Sequence, residues 1–200
     1  MIDMGFHRTR CAHCKAKFTP ERPSQIVHVE CVEAWTEAQA AKRERAEAKA
    51  ARAAAKVERA ETRRRKEAMK RLPELIAEAQ EAFNAYIRAR DAGLPCICCG
   101  QPFEPMKPGG SVDAGHFRSR SSAGHLRFNE DNCFAQRKNC NRPGGTTYGA
   151  FRAGVVARIG EARVAALEAD NAVRKWTHDE VREIRDTYRQ KLKQLTKGTP

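Results

Sequence analysis

Eight cysteines in this 200-residue chain fall into two clusters spaced for metal binding. The first begins Cys11-Ala-His-Cys14 and, after a turn-rich loop, continues as His28-Val-Glu-Cys31. Two close ligand pairs across a short loop let a tetrahedral Zn²⁺ replace a hydrophobic core in a segment too small and polar to build one. The expected ligands are Cys11, Cys14, His28 and Cys31, with His13 as an alternative in detail. The second cluster places Cys96 and Cys99 in LPCICCG, with Cys98 as a spare thiol and Gly100 to turn the chain beneath the metal. Its other half lies in NCFAQRKNCNR, residues 132–142, which holds Cys133 and Cys140. A second Cys-x-x-Cys pair would start at Arg137, but a guanidinium stays protonated and cannot bind zinc. Cys133 would share a face with position 137 if the segment were helical, and Cys98 or His125 are other sources of a fourth ligand. The remaining possibility is that zinc is lost and the cysteines pack as small apolar groups.

Between the two halves lies VDAGHFRSR, residues 112–120. Phosphodiester hydrolysis needs a base for water, an electrophile for the phosphate oxygens and help for the leaving oxygen. His116, after Gly115 at the end of an expected strand, is suited to be that base. Arg118 and Arg120 stand close in sequence to hold phosphate.

The elements that must carry these groups are mostly helical. From Glu33 to Arg71 the chain is rich in Ala, Glu, Lys and Arg, without Gly or Pro, and the pairs Glu61 with Arg65 and Glu67 with Arg71 stand four apart. A solvated single helix is predicted, since no apolar a/d stripe supports a coiled coil. Its run Arg63, Arg64, Arg65 and Lys66 can track phosphates or simply keep the helix in water. Leu72-Pro73 interrupts it. Beyond lies a helix with Leu75, Ile76, Ala79, Phe83, Tyr86 and Ile87 on one face, ending near Gly93. Residues 151–159 and "EARVAALEAD" read as two short helices. Thr177 and Glu180 form a capping box that opens a last helix to about Lys193, and Trp176 reads as packing. The expected organisation is a zinc knuckle over 1–32, a basic helical arm over 33–72, a catalytic domain over 73–195 and a flexible tail over 196–200.

Composition narrows the partners. A net charge of +13 and a pI of about 9.7 favour nucleic acid. No apolar run reaches the ~18 residues of a membrane span, and the first residues lack a signal-peptide apolar region. A cytoplasmic location is expected, where cysteines serve metals rather than disulfides.

The order Cys-x-x-Cys, Gly-His, Asn, Cys-Asn resembles the HNH (ββα-metal) nucleases, in which a zinc ribbon braces the active site. LPCICCG, DAGHFRSR, LRFNEDN, CNR and ARIG together resemble the phage NinG (Rap) recombination endonuclease family over nearly the whole chain. That resemblance implies a helix-rich α+β protein that cleaves branched DNA and Holliday junctions in phage recombination, inside the bacterial host cytoplasm. It implies Asn132 as the residue that orients His116. It also implies Asn141, at the start of a metal-binding helix, as a ligand of catalytic Mg²⁺ or Mn²⁺, with Asp113 as a possible second. Structural zinc, one or two ions, would brace the fold, and symmetric junction cleavage would favour a homodimer. PGGTTYGAFRAG follows CNR where the family tends to have a Ser-Gly-Asn turn, which bears on the metal-helix geometry. The competing readings are a non-enzymatic DNA-binding accessory protein with a degenerate HNH site and a zinc-finger regulator, for which no base-reading helix is apparent.

Overall fold

The alanine-rich, alternately charged segment has no residue that breaks a helix, and in the structure, a computed structural model, it forms one: α1, Val32–Ala68. The structure describes residues 9–22, 24–105 and 110–197. Over its 37 residues α1 buries no side chain, as a helix without an apolar stripe must. Glu61 and Arg65 pair at 3.6 Å along it. Arg71, expected to pair with Glu67, lies beyond the helix end and closes a capping box with Glu74 at the start of the next element.

The chain divides into two compact units, Met1–Met69 and Lys70–Pro200. The first holds the N-terminal cysteine cluster and α1. The second contains α2 (Leu72–Arg90), β1 (Val112–His116), β2 (Cys133–Arg137), α3 (Tyr148–Ile159), α4 (Glu161–Ala169) and α5 (His178–Lys197). It is a helix-rich α+β arrangement around one small antiparallel hairpin. The apolar stripe of α2 packs along α5, where Thr177 and Glu180 form the expected capping box. Of the tail expected over 196–200, Thr196 and Lys197 finish α5, and residues 198–200 lie outside the described residues.

Side chains of a strand alternate between faces, so the hairpin serves two cores. Cys133 joins Leu75, Phe83, Phe128, Val181 and Tyr188 on the α2 and α5 side, and Ala114 packs against them. Phe134 belongs to the other core with Ile97, Phe117, Phe151, Val155 and Val164. The hairpin is pinned to α2 by Asp91, a buried carboxylate that accepts the Ala135 N–H at 2.9 Å. Arg90 pairs with Asp91 at 2.7 Å and donates to the Cys133 carbonyl at 2.9 Å. Trp176 packs edge-on against Phe128 and lies under Arg174, so its role here is packing. No helix among the described residues is long and apolar enough to cross a membrane.

Candidate active site

Each unit holds one metal-ready cluster. In the first unit, ligand atoms of Cys11, Cys14, His28 and Cys31 lie within 4.8 Å of one another, the set expected from spacing. Cys14 Sγ is 3.4 Å and Cys31 Sγ 3.9 Å from His28 Nδ1. Burial raises the Cys11 thiol, but N–H groups of Cys14, His28 and His13 outweigh it and lower the group to about 6, toward the thiolate a metal needs. Lys15 takes a left-handed turn and returns its N–H to the Cys11 carbonyl at 3.1 Å. Gly100 repeats that turn in the second cluster, with its N–H 3.0 Å from the Cys96 carbonyl. Such turns aim backbone N–H groups at the first sulfur of each pair.

The second cluster contains three thiols, Cys96, Cys99 and Cys140. Cys133 is not among them, which corrects the expectation that it replaces the thiol missing at Arg137. The segment is a strand, not a helix, and four residues of strand span about 13 Å. Cys133 is instead buried beneath His116, its thiol pushed up to about 12 by burial. The other proposed substitutes are also committed elsewhere. Cys98 accepts from Gln136 Nε2 at 2.6 Å, and His125 Nε2 lies 3.1 Å from the Asp170 carboxylate. Arg137 itself donates its backbone N–H to Cys96 Sγ at 3.2 Å, and its guanidinium pairs with Glu104 at 2.6 Å.

Within the second unit, beside α2, opens a cleft of about 830 Å³, lined by Asn84, Arg88, Asp113, His116, Arg120, Arg127 and Asn141 among others. His116 closes β1 with its ring on the α2 side. Its Nε2 is 2.9 Å from the Arg127 carbonyl, a contact that requires a proton on Nε2 and leaves Nδ1 as the basic atom of the neutral ring. Nδ1 faces Cys133 Sγ at 3.7 Å. Burial lowers the imidazole pKa; the Arg127 carbonyl opposes this and the Arg120 and Arg127 guanidinium groups add to it. The ring is therefore neutral at physiological pH.

Asp113 stands three residues from His116, so it points to the opposite face of the strand, about 10 Å along it. Both line one cleft because β1 pairs with β2 along one edge only. Asn141 Nδ2 donates to Asp113 Oδ2 at 3.1 Å, so the two residues singled out for a divalent cation do meet. Asn141 does not open a helix, however. Residues 138–146 form successive turns and bends, and the next helix starts at Tyr148, capped by Thr147. A Cβ at Gly115 would sit 1.5 Å from Gln136 Oε1 and 3.1 Å from Asn141 Oδ1, so a side chain there would displace the Gln136 amide.

Asn132 is fully buried and does not touch the imidazole. Its Oδ1 accepts the Arg118 N–H at 2.7 Å, and its Nδ2 donates to the carbonyls of Arg118 at 3.0 Å and Leu126 at 3.2 Å. It fixes the loop that supplies the Arg127 carbonyl and so acts on His116 at one remove. Arg118 is likewise not free for phosphate. Its guanidinium donates to the carbonyls of Leu167 at 2.8 Å and Asp170, and to Asn171 Oδ1 at 2.8 Å, closing the C-terminal end of α4. Arg120 does line the cleft, and Arg127 beside it was not foreseen. Burial and the nearby Arg120 lower the Arg127 pKa, and neither has a carboxylate partner among the described residues. Asn84 and Arg88 were also missed, although their i, i+4 spacing marks a polar strip beside the apolar face of α2. Arg63, Arg64, Arg65 and Lys66 lie on α1, in the other unit.

Residues 5–198 match the profile of the family described as Bacteriophage Lambda NinG protein. The chain belongs to the NinG family. It is 40% identical over 195 residues to "Protein ninG" of Escherichia phage 933W, with 94% of each chain covered. With "Protein ninG" of Escherichia phage lambda it shares 39% identity over 131 residues, 66% of this chain and 62% of the relative. With that of Salmonella phage P22 it shares 40% over 131 residues and the same coverage, so the match spans less than two thirds of those two relatives. No solved structure matches this NinG-family chain.

Proposed function

We propose that this NinG-family protein is a divalent-metal-dependent DNA endonuclease of the HNH (ββα-metal) type, acting on branched DNA such as Holliday junctions. One observation carries the reading: a neutral, carbonyl-anchored His116, the Asp113–Asn141 pair and the guanidinium groups of Arg120 and Arg127 converge on one cleft. Asp113 offers a carboxylate and Asn141 an amide oxygen, a donor set that suits a hard cation such as Mg²⁺ or Mn²⁺ and leaves room for water and phosphate. Bound there, the cation would neutralise charge on the phosphate oxygens and aid the leaving oxygen.

The chain's own groups do the rest. A phosphodiester enters along the free edge of β1, with Arg120 and Arg127 drawing its oxygens by charge-assisted hydrogen bonds. On release of its 3.7 Å contact with the Cys133 thiol, His116 Nδ1 takes a proton from a water, whose oxygen attacks phosphorus as the opposite P–O bond breaks. The Arg127 carbonyl, holding Nε2–H, stabilises the imidazolium that results. Zinc in the two cysteine clusters is structural. The basic run of α1 adds affinity through counterion release. Preference for junctions follows from the resemblance to the family, and the two-fold symmetry of a junction would engage two copies of the chain.

The test is cleavage of a labelled four-way junction and of linear duplex, with Mn²⁺ and with chelator, by wild type and Asp113→Ala. Metal-dependent junction cleavage that is lost in the variant, with DNA binding retained, supports the proposal. Binding without cleavage in any divalent metal would instead favour a DNA-binding accessory protein.

A further inference from the structure

We infer that Gln136 Oε1 is a third protein oxygen of the divalent-cation site, and that the thiol of Cys98 holds it in place. The inference rests on the reading of Asp113 and Asn141 given above. Gln136 is only 1% exposed, and its Oε1 is a buried acceptor with no hydrogen-bond partner. Buried polar atoms are almost always satisfied, so an orphan of this kind calls for a missing partner such as water or an ion.

The register locates that partner. Asp113 on β1 pairs directly with Gln136 on β2, so both side chains leave the same face of the hairpin, with Cβ atoms about 4.5–5.5 Å apart. Gly115, on that face, leaves the space into which Gln136 Oε1 and Asn141 Oδ1 both crowd. Asn141 Nδ2 is turned to Asp113, which directs its oxygen away from that contact. Thus two amide oxygens crowd one glycine, and the Asp113 carboxylate stands 3.1 Å from the nitrogen of one of those amides. Oxygens repel one another in the absence of a cation; a carboxylate with two amide carbonyls is a donor set for Mg²⁺, Mn²⁺ or Ca²⁺.

Gln136 Nε2 donates to Cys98 Sγ at 2.6 Å, and in this amide orientation the oxygen is left toward Gly115 and Asn141. Cys98 lies outside the three-thiol cluster but within the Cys96–Cys99 turn. A zinc that sets this turn would also set Gln136. The spare thiol of LPCICCG thereby acquires a positioning role in the cleft. The opposite amide orientation, with NH₂ toward Asn141 Oδ1, would make Gln136 a packing residue without a ligand role.

Mn²⁺ binding to the zinc-loaded full-length protein without DNA separates these cases, measured by calorimetry or by loss of the free Mn²⁺ paramagnetic resonance signal. Gln136→Met, close in volume but lacking oxygen, is expected to weaken binding by about 10–100-fold, the usual effect of losing a metal's supporting group. Gln136→Glu keeps the shape, adds charge and is expected to bind at least ten times more tightly; zinc content and circular dichroism report that each variant is folded. Asp113→Asn serves as the control. Wild-type affinity in Gln136→Met, or unchanged or weaker binding in Gln136→Glu, while Asp113→Asn loses the ion, overturns the role of Gln136 and leaves the cation site standing. No Mn²⁺ binding by wild type, or binding indifferent to Asp113→Asn, overturns the cation site and this inference together.

Discussion

His116 can act as a base only while Nδ1 carries no proton, and its surroundings secure that. Burial and two neighbouring guanidinium groups lower its pKa below the ordinary 6.5, so the folded protein takes up the proton later than the unfolded chain as pH falls. Two consequences follow from that sign. The acid limb of cleavage, with His116 as its source, should lie at lower pH than an ordinary imidazole would give. Stability should begin to drop as pH falls below about 6.5, where unfolded His116 binds a proton that the folded site refuses, and the loss should level off below the folded pKa. Comparing urea melts of wild type and His116→Gln at pH 7.5 and 5.5 isolates this contribution; equal slopes in the two proteins would remove it. The arginines divide in the same way. Arg118→Ala strips hydrogen bonds from the end of α4, so it should cost about 2 kcal/mol of stability in urea melts and leave intrinsic DNA affinity nearly unchanged. Arg127→Ala should do the reverse, reducing cleavage at least tenfold in single-turnover assays with little change in stability.

At the scale of elements, the three long helices were legible because each follows a simple rule. Alanine and charge without Gly or Pro specify α1, while spacings of three and four with clear caps specify α2 and α5. The strand carrying His116 was legible as well. Sequence spacing misled at NCFAQRKNCNR, because four residues bring side chains together on a helix but carry them about 13 Å apart on a strand. No periodicity separates the two possibilities in five residues, CFAQR, that are nearly all buried; the pairing with β1 decides. The same loss of helix leaves Asn141 on a turn, held by Asp113 instead of by helix geometry. Arg118 and Asn132 were misplaced for a related reason: their partners lie on α4 and in the β1–β2 loop, beyond the reach of local pattern. Metal content tests the revised ligand set. Wild type should carry two zincs per chain by elemental analysis; Cys133→Ser should keep both, whereas Cys140→Ser and Cys11→Ser should each lose one. Loss of zinc in Cys133→Ser would return that thiol to the ligand set.

For the whole molecule, the charge of +13 is unevenly used. Arg63, Arg64, Arg65 and Lys66 sit on a helix that buries nothing, so they can serve a polyanion without cost to a core, Arg65 by giving up its exposed pair with Glu61. Replacing all four with Gln should flatten the dependence of log affinity on log salt by about 3.6, at about 0.9 for each duplex phosphate left without its cation. Cleavage at saturating protein should persist, because the groups proposed as catalytic reside in the other unit. A salt dependence equal to that of wild type would make α1 a spacer. The most direct measurement remains single-turnover cleavage of a labelled four-way junction in Mg²⁺ by wild type and His116→Ala, with junction binding followed in parallel by gel shift. Wild type is expected to cleave, the variant to cleave at least about a hundredfold more slowly, and both to bind equally. Cleavage by His116→Ala at the wild-type rate would rule out His116 as the base.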